Sequence, residues 1–289
     1  PFREDIRAGG GTPRMTRILG ALILIVLLAL PAIFGPAWAL ATIAALVVPI
    51  CMYELYRVAL NPRARILGTM AIASSFFYTY FAYRLDTDAC LVTLGISSAV
   101  IMTSSLFLYE LGRVTAKDLV YALAGLVYPM ALICFWVMLR VSTDGRFWMI
   151  FGLVSVFASD VGAYYTGKSI GRRRIAPRLS PKKTVEGFAG GIVVAVILGY
   201  AAYIAYVALS TAIDSDTLTR SYPWWIFPVM SCVIAVLDLA GDLTASLFKR
   251  EFQIKDLGEL IPGHGGMLDR MDGIIPVGCI LYAACRVLF

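Results

Sequence analysis

Histidine is almost absent: His264 is the only one in 289 residues. That excludes a His-rich zinc centre, and a histidine-based triad would have to use His264, for which no Gly-x-Ser-x-Gly turn supplies a nucleophile. No Cys-x-x-Cys pair occurs. The six cysteines (Cys51, Cys90, Cys134, Cys232, Cys279 and Cys285) lie in or beside apolar runs and read as small core hydrophobes, not as metal ligands or a disulfide frame. Charge is scarce too, at 15%. A soluble domain could not cover its apolar surface with so little, so a water-soluble fold is excluded. The apolar runs are continuous, not alternating, which argues against a β-barrel. No cleavable signal peptide is visible. Residues 1–17 read as a Gly-rich tail, in part an upstream extension or cloning remnant, with Met15 available as a start.

What remains is a hydrophobic chain. Apolar residues make up 60% and the mean hydropathy is +0.79. The pattern predicts an all-α polytopic integral membrane protein of nine spans, near 18–35, 37–56, 66–83, 89–109, 119–139, 147–166, 186–208, 224–247 and 273–288. Of the 25 Lys and Arg, all but Arg84, Arg140, Arg146, Arg220 and Arg286 fall on one side if the N-terminus is inside. The positive-inside rule then places the loops 167–185 and 248–272 in the cytoplasm. The formal charge of +6 suits contact with anionic lipid or phosphate, and no nucleic acid is expected as a partner. We divide the chain into the tail, N-terminal transmembrane helices over 18–145, and a C-terminal catalytic region over 146–289. A weak echo, Tyr53-Glu54-Leu55-Tyr56-Arg57 and Tyr109-Glu110-Leu111-Gly112-Arg113, puts two acids at the inner surface, where they either border lipid or line a site.

Chemistry concentrates at two places. On the eighth span, Asp238, Asp242, Ser246 and Lys249 fall within an arc of roughly 80° at 100° per residue. A carboxylate facing hydrocarbon would cost several kcal/mol, so this stripe must face protein, water or a cation. The following loop adds Arg250, Lys255, Asp256, His264 between glycines, Asp269, Arg270 and Asp272. Carboxylates from two helix ends suit a hard cation such as Mg²⁺, and Gly263, Gly265 and Gly266 allow close backbone approach to an anion. The second place is Asp160 at the inner end of span six, followed by a basic loop with Ser180-Pro181-Lys182-Lys183-Thr184-Val185-Glu186-Gly187 at a helix start, which suits a phosphate-gripping turn. Gly162 to Ser169 fits the P-loop spacing but follows a membrane span where a P-loop needs a strand; its glycines, with Gly171, suit close packing and chain reversal. Gly187 and Gly191 have small-residue spacing for helix packing.

The run from Ser246 to Asp272 resembles the signature of the phosphatidate cytidylyltransferases (CDP-diacylglycerol synthases). It is carried by Ser246, Phe248, Lys249, Arg250, Lys255, Asp256, Gly258, Ile261, Pro262, His264, Gly265, Gly266, Asp269, Arg270 and Asp272. Upstream elements at Asp160, Ala163, Tyr164, Gly167 and Gly171, and at Ser180, Pro181, Lys183, Thr184, Glu186 and Gly187, are similar to that family as well, so the resemblance covers about 150–289. It implies transfer of a cytidylyl group from CTP to phosphatidic acid, with Mg²⁺ alone or with a second cation, in a bacterial-type inner membrane with the site on the cytoplasmic face, and a homodimer. The implied metal set is Asp242, Asp269 and Asp272 with Asp238. The catalytic set is Asp242, Lys249, His264, Asp269, Arg270 and Asp272. Asp160, Ser180, Lys182, Lys183, Thr184, Glu186, Ser246, Arg250, Lys255, Asp256, Gly265 and Gly266 are expected to bind substrate. Rival readings are a CTP-dependent polyprenol or phytol kinase, which needs a base for an alcohol, and an ion-coupled transporter using Asp238 and Asp242.

Overall fold

The computed structural model describes residues 34–213, 218, 222–258 and 265–286. The predicted span at 18–35, the tail before it and His264 lie outside the described residues. The chain runs through α1 (Ala37–Ala59), α2 (Arg65–Tyr83) and α3 (Thr87–Glu110). Next come α4 (Ala116–Gly125) and α5 (Leu132–Val141), joined without a break by a π-helical turn over Leu126–Ala131. Pro129 lies in that turn. Proline lacks an N–H and crowds the preceding turn, and a widened turn absorbs both defects.

The second half holds α6 (Gly145–Ile170), a hairpin of β1 (Arg174–Ala176) and β2 (Ser180–Thr184), and α7 (Val185–Ile213). It ends with α8 (Ile226–Glu251), the short α9 (Leu268–Met271) and α10 (Val277–Arg286). The stretch read from sequence as the loop 167–185 is thus partly helix and partly hairpin. β1 and β2 pair antiparallel, with Arg174 opposite Thr184 and Ala176 opposite Ser180.

Among the described residues, six stretches are long and apolar enough to cross a membrane: α1, α3, the α4–α5 rod, α6, α7 and α8. The all-helical membrane class therefore holds, but nine crossings are not established. The 19-residue α2 is rich in hydroxyl groups, and α10 has ten helical residues, about 15 Å at 1.5 Å per residue. Large apolar side chains such as Leu91, Ile96, Leu106 and Phe107 on α3 point outward, as lipid-facing residues must.

Successive long helices joined by short turns run antiparallel, so the connections after α1, α3, α6 and α8 gather at one end. Asp118 ties that end together. It closes a capping box with Thr115 at the start of α4 and accepts from the backbone and side-chain nitrogens of Asn61, both at 2.9 Å.

The α6–α7 pair is built differently at its two ends. At the far end rings fill the space: Phe147 and Phe151 from α6, Tyr203 from α7 and Phe227 from α8, with Tyr203 stacked on Phe227 at 3.9 Å. At the hairpin end the two backbones meet through glycine. A Cβ at Gly162 would lie 2.7 Å from Val194 Cβ, and one at Gly187 would lie 2.8 Å from the Ala163 carbonyl oxygen. Gly162 to Ser169 lies wholly within α6, so helix and not a strand directly precedes it, which excludes a P-loop.

Gly162→Leu is expected to destabilise the bundle by about 1–3 kcal/mol, since β-branched Val194 cannot swing aside. A thermal melt of detergent-extracted protein checks this; an unshifted midpoint contradicts the packing.

Candidate functional site

The hairpin end of α6, α7 and α8 encloses a cavity of about 410 Å³. Asp160 at the inner part of α6, Asp238 and Asp242 on α8, and Ser180, Lys182, Lys183 and Thr184 from β2 all line it. Four residues separate Asp238 from Asp242, so helical geometry alone aims both at one place. The hairpin reaches them because Thr184 caps α7, its hydroxyl accepting from the Gly187 amide at 3.1 Å, while the Val185 amide donates to the Arg173 carbonyl at 2.8 Å. Lys183 then forms an ion pair with Asp242. Asp238 is buried, with Ser159, Asp160 and Lys183 beside it.

A second group lies where α8 ends. Lys249 donates to Asp269 Oδ1 at 3.0 Å, and the amides of Leu257 and Gly266 donate to Asp269 Oδ2 at 2.8 and 3.1 Å. Gly265, directly before Gly266, has φ +82°, a conformation that side chains rarely adopt. Two glycines join this group to the cavity. A side chain at Gly241 would collide with the Asp272 carbonyl, and one at Gly273 would collide with Asp238. Asp272 is consequently held against α8, its Oδ1 accepting from the Gly273 amide at 2.9 Å. Burial pushes its carboxyl up to about 7, the negative charge of Asp242 adds to the rise, and the Gly273 amide and Lys249 oppose it.

Not every expected residue joins these groups. Glu186 points away from the cavity and accepts from the amides of Arg172 and Arg173 at 2.9 and 3.1 Å, bracing the chain before β1. Arg250 donates to the Leu179 carbonyl at 3.4 Å, at the tip of the hairpin. Ser246 is half-buried one turn beyond Asp242, outside the cavity lining. Lys255 and Arg270 are exposed, as is Asp256, although its Oδ1 borders Gly265 beside Asp269 Oδ2. Among residues outside the expected set, Glu54 touches the second group: its two oxygens accept from the amides of Met267 and Leu268, each at 2.9 Å. Only the Tyr-Glu-Leu echo at the end of the second predicted span pointed to it. Its counterpart Glu110 is exposed.

Among the described residues no three acidic, cysteine or histidine side chains already form a metal shell, because Asp242 faces Lys183 and Asp269 faces Lys249. The donor chemistry nevertheless fits a hard divalent ion. Asp160, Asp238, Asp242 and Asp272 are electrostatically coupled, with Lys183 and Lys249 the cations that offset them, so a dication would relieve the remaining repulsion.

The comparison with known proteins points the same way. A protein from Bacillus subtilis called phosphatidate cytidylyltransferase is 32% identical over 208 residues, which is 72% of this chain and 70% of that one. Its namesake from Staphylococcus saprophyticus is 30% identical over 193 residues, covering 66% and 69%. The Haemophilus influenzae protein of that name is 37% identical over 130 residues, 45% of this chain and 42% of its own length. The family model described as "Cytidylyltransferase family" matches residues 15–288, nearly the whole sequence, and on that match the chain belongs to the cytidylyltransferase family.

Proposed function

We infer that this membrane enzyme makes CDP-diacylglycerol and pyrophosphate from CTP and phosphatidic acid. The observation that carries the reading is the cavity itself: aspartates from α6 and α8 and lysines from β2 face one space at the ends of lipid-length helices. Its volume lies in the range of small-molecule sites.

The chemistry asks little of a base. A phosphatidic acid oxygen, already anionic, attacks the α-phosphorus of CTP; that P–O bond forms, the bond from the α-phosphorus to the bridging oxygen breaks, and pyrophosphate leaves with the electron pair. No proton has to be removed from the nucleophile, so the protein's tasks are positioning and charge neutralisation. Lys182 and Lys183 neutralise phosphate oxygens, with Ser180 and Thr184 as neutral hydrogen-bond partners. Lys249, Arg250, Lys255 and Arg270 extend the positive field towards the leaving group. Asp238, Asp242, Asp269 and Asp272 would hold Mg²⁺, which supplies charge neutralisation between the two anionic reactants. When phosphate or metal enters, Lys183 is the group placed to exchange Asp242 for a substrate oxygen.

Sidedness follows from charge. The hairpin segment and the α8–α9 connection carry 11 of the 25 Lys and Arg, seven over 168–183 and four over 249–270, so we take this end to face the cytoplasm, where CTP is found, in a bacterial-type inner membrane. The apolar outer faces of α6 and α8, with Val161 and Val236 exposed, let a lipid approach sideways without lifting its acyl chains from the bilayer. The family resemblance supports a homodimer as the working assembly. An ion relay has no use for a hairpin that brings lysines to its acids, whereas here Lys182 and Lys183 line the same cavity as Asp160, Asp238 and Asp242.

CTP labelled at the α-phosphorus should pass its label to phosphatidic acid in a Mg²⁺-dependent reaction of the purified protein, and γ-labelled CTP should label only pyrophosphate. Label from the γ-position appearing in lipid would establish a lipid kinase instead. Asp242→Asn and Asp269→Asn should each lower turnover at least about 100-fold, the scale of losing a charge-stabilising group, while remaining folded and extractable. Wild-type turnover in either removes that residue from the site.

A further inference from the structure

The reading above requires the segment 265–272 to stay in register with α8, because Asp269 and Asp272 come from one and Asp238 and Asp242 from the other. Lys249 and two amides hold Asp269. What holds the backbone beneath it comes from the opposite end of the sequence. Glu54, on α1, is 4% exposed, and its carboxylate spans two consecutive amides: Met267 N–H to Oε1 and Leu268 N–H to Oε2, each 2.9 Å. The fit leaves no spare room. A side chain at Gly258 would collide with Glu54 Oε1, and one at Gly266 would sit 2.5 Å from Oε2.

We propose that Glu54 is a positioning residue for the reaction: from the N-terminal helices it fixes the backbone that carries Asp269 and Asp272, and Gly258 and Gly266 are glycines because this carboxylate passes between them. The proposal rests on the functional reading for its consequences in turnover, but not for the contact. Several features make the role specific. Two oxygens on one carbon match two successive N–H groups, and a charged acceptor makes the stronger hydrogen bond. Glutamine offers one carbonyl and turns an NH₂ against the other amide. Aspartate is one methylene shorter. With Asp269 gathering the Leu257 and Gly266 amides, the two carboxylates organise the backbone on both sides of Gly265. Loss of one therefore shifts the other, and Asp272 with it.

The test uses Glu54→Gln, Glu54→Asp and Gly266→Ala in the full chain, in detergent or nanodiscs. Amide hydrogen exchange should accelerate at least about tenfold in the peptide covering 265–272 and stay unchanged in α3. The Mg²⁺ concentration for half-maximal turnover should rise about 10- to 100-fold, the usual effect of removing a group that orients ligands, while KM for phosphatidic acid stays within about threefold. Gly266→Ala should reproduce the pattern with Glu54 intact, and it decides the matter if Glu54→Gln does not fold. Wild-type exchange in 265–272 overturns the proposal. So does exchange that rises uniformly along the chain with an unchanged Mg²⁺ requirement, which is the signature of general destabilisation. If the wild-type protein makes no labelled lipid, the functional reading fails, and the exchange comparison still decides whether Glu54 holds the segment.

Discussion

The ion pair between Lys183 and Asp242 is the contact on which the site depends. It joins a hairpin strand to a membrane helix and is the only ion pair described between β2 and the acidic stripe of α8. Lys183 is also a neighbour of Asp160 and Asp238, so one ammonium group moderates three carboxylates. Without it those acids would repel one another in a region of low dielectric, where an unpaired charge costs most. The pair is partly open to solvent, with 27% of the Lys183 and 35% of the Asp242 side chain exposed. It is thus open to exchange, which the role proposed for Lys183 in neutralising phosphate requires.

Glycine makes this arrangement reachable. Gly162 and Gly187 let α6 and α7 approach backbone to backbone at the hairpin end, while Phe147, Phe151, Tyr203 and Phe227 fill the other end. Gly241 and Gly273 bring the Asp272 turn against α8. In a bilayer, where apolar side chains gain nothing by leaving lipid for one another, such close approach and polar contacts supply much of the specificity of helix pairing. The polar contacts here collect at the hairpin end: Asp118 with Asn61, Glu54 with Met267 and Leu268, Lys249 with Asp269.

Much of this was legible in the residues. Asp238 and Asp242 had to share a face because helical spacing is local, and they do line one cavity. The apolar runs gave the helix positions to within about five residues from α1 to α8, though not whether α2 crosses. Other features were not legible. The basic loop hid a hairpin, since Arg174-Ile175-Ala176 is too short to show an alternating pattern. Nothing local showed that Glu186, expected to bind substrate, accepts from the amides of Arg172 and Arg173, because a carboxylate at a helix start can also serve a nearby backbone.

By itself the sequence determined a helical membrane protein whose acids and bases cluster on the segments that line the cavity and surround Asp269. Those properties depend on period, run length and composition, which are set within a few turns of chain. Only the tertiary structure decided which cation meets which acid, and that Glu54 reaches across 213 residues to the Met267 amide. Contacts of that separation depend on how helices pack, and no local pattern encodes the distance between two helices that glycines allow to touch.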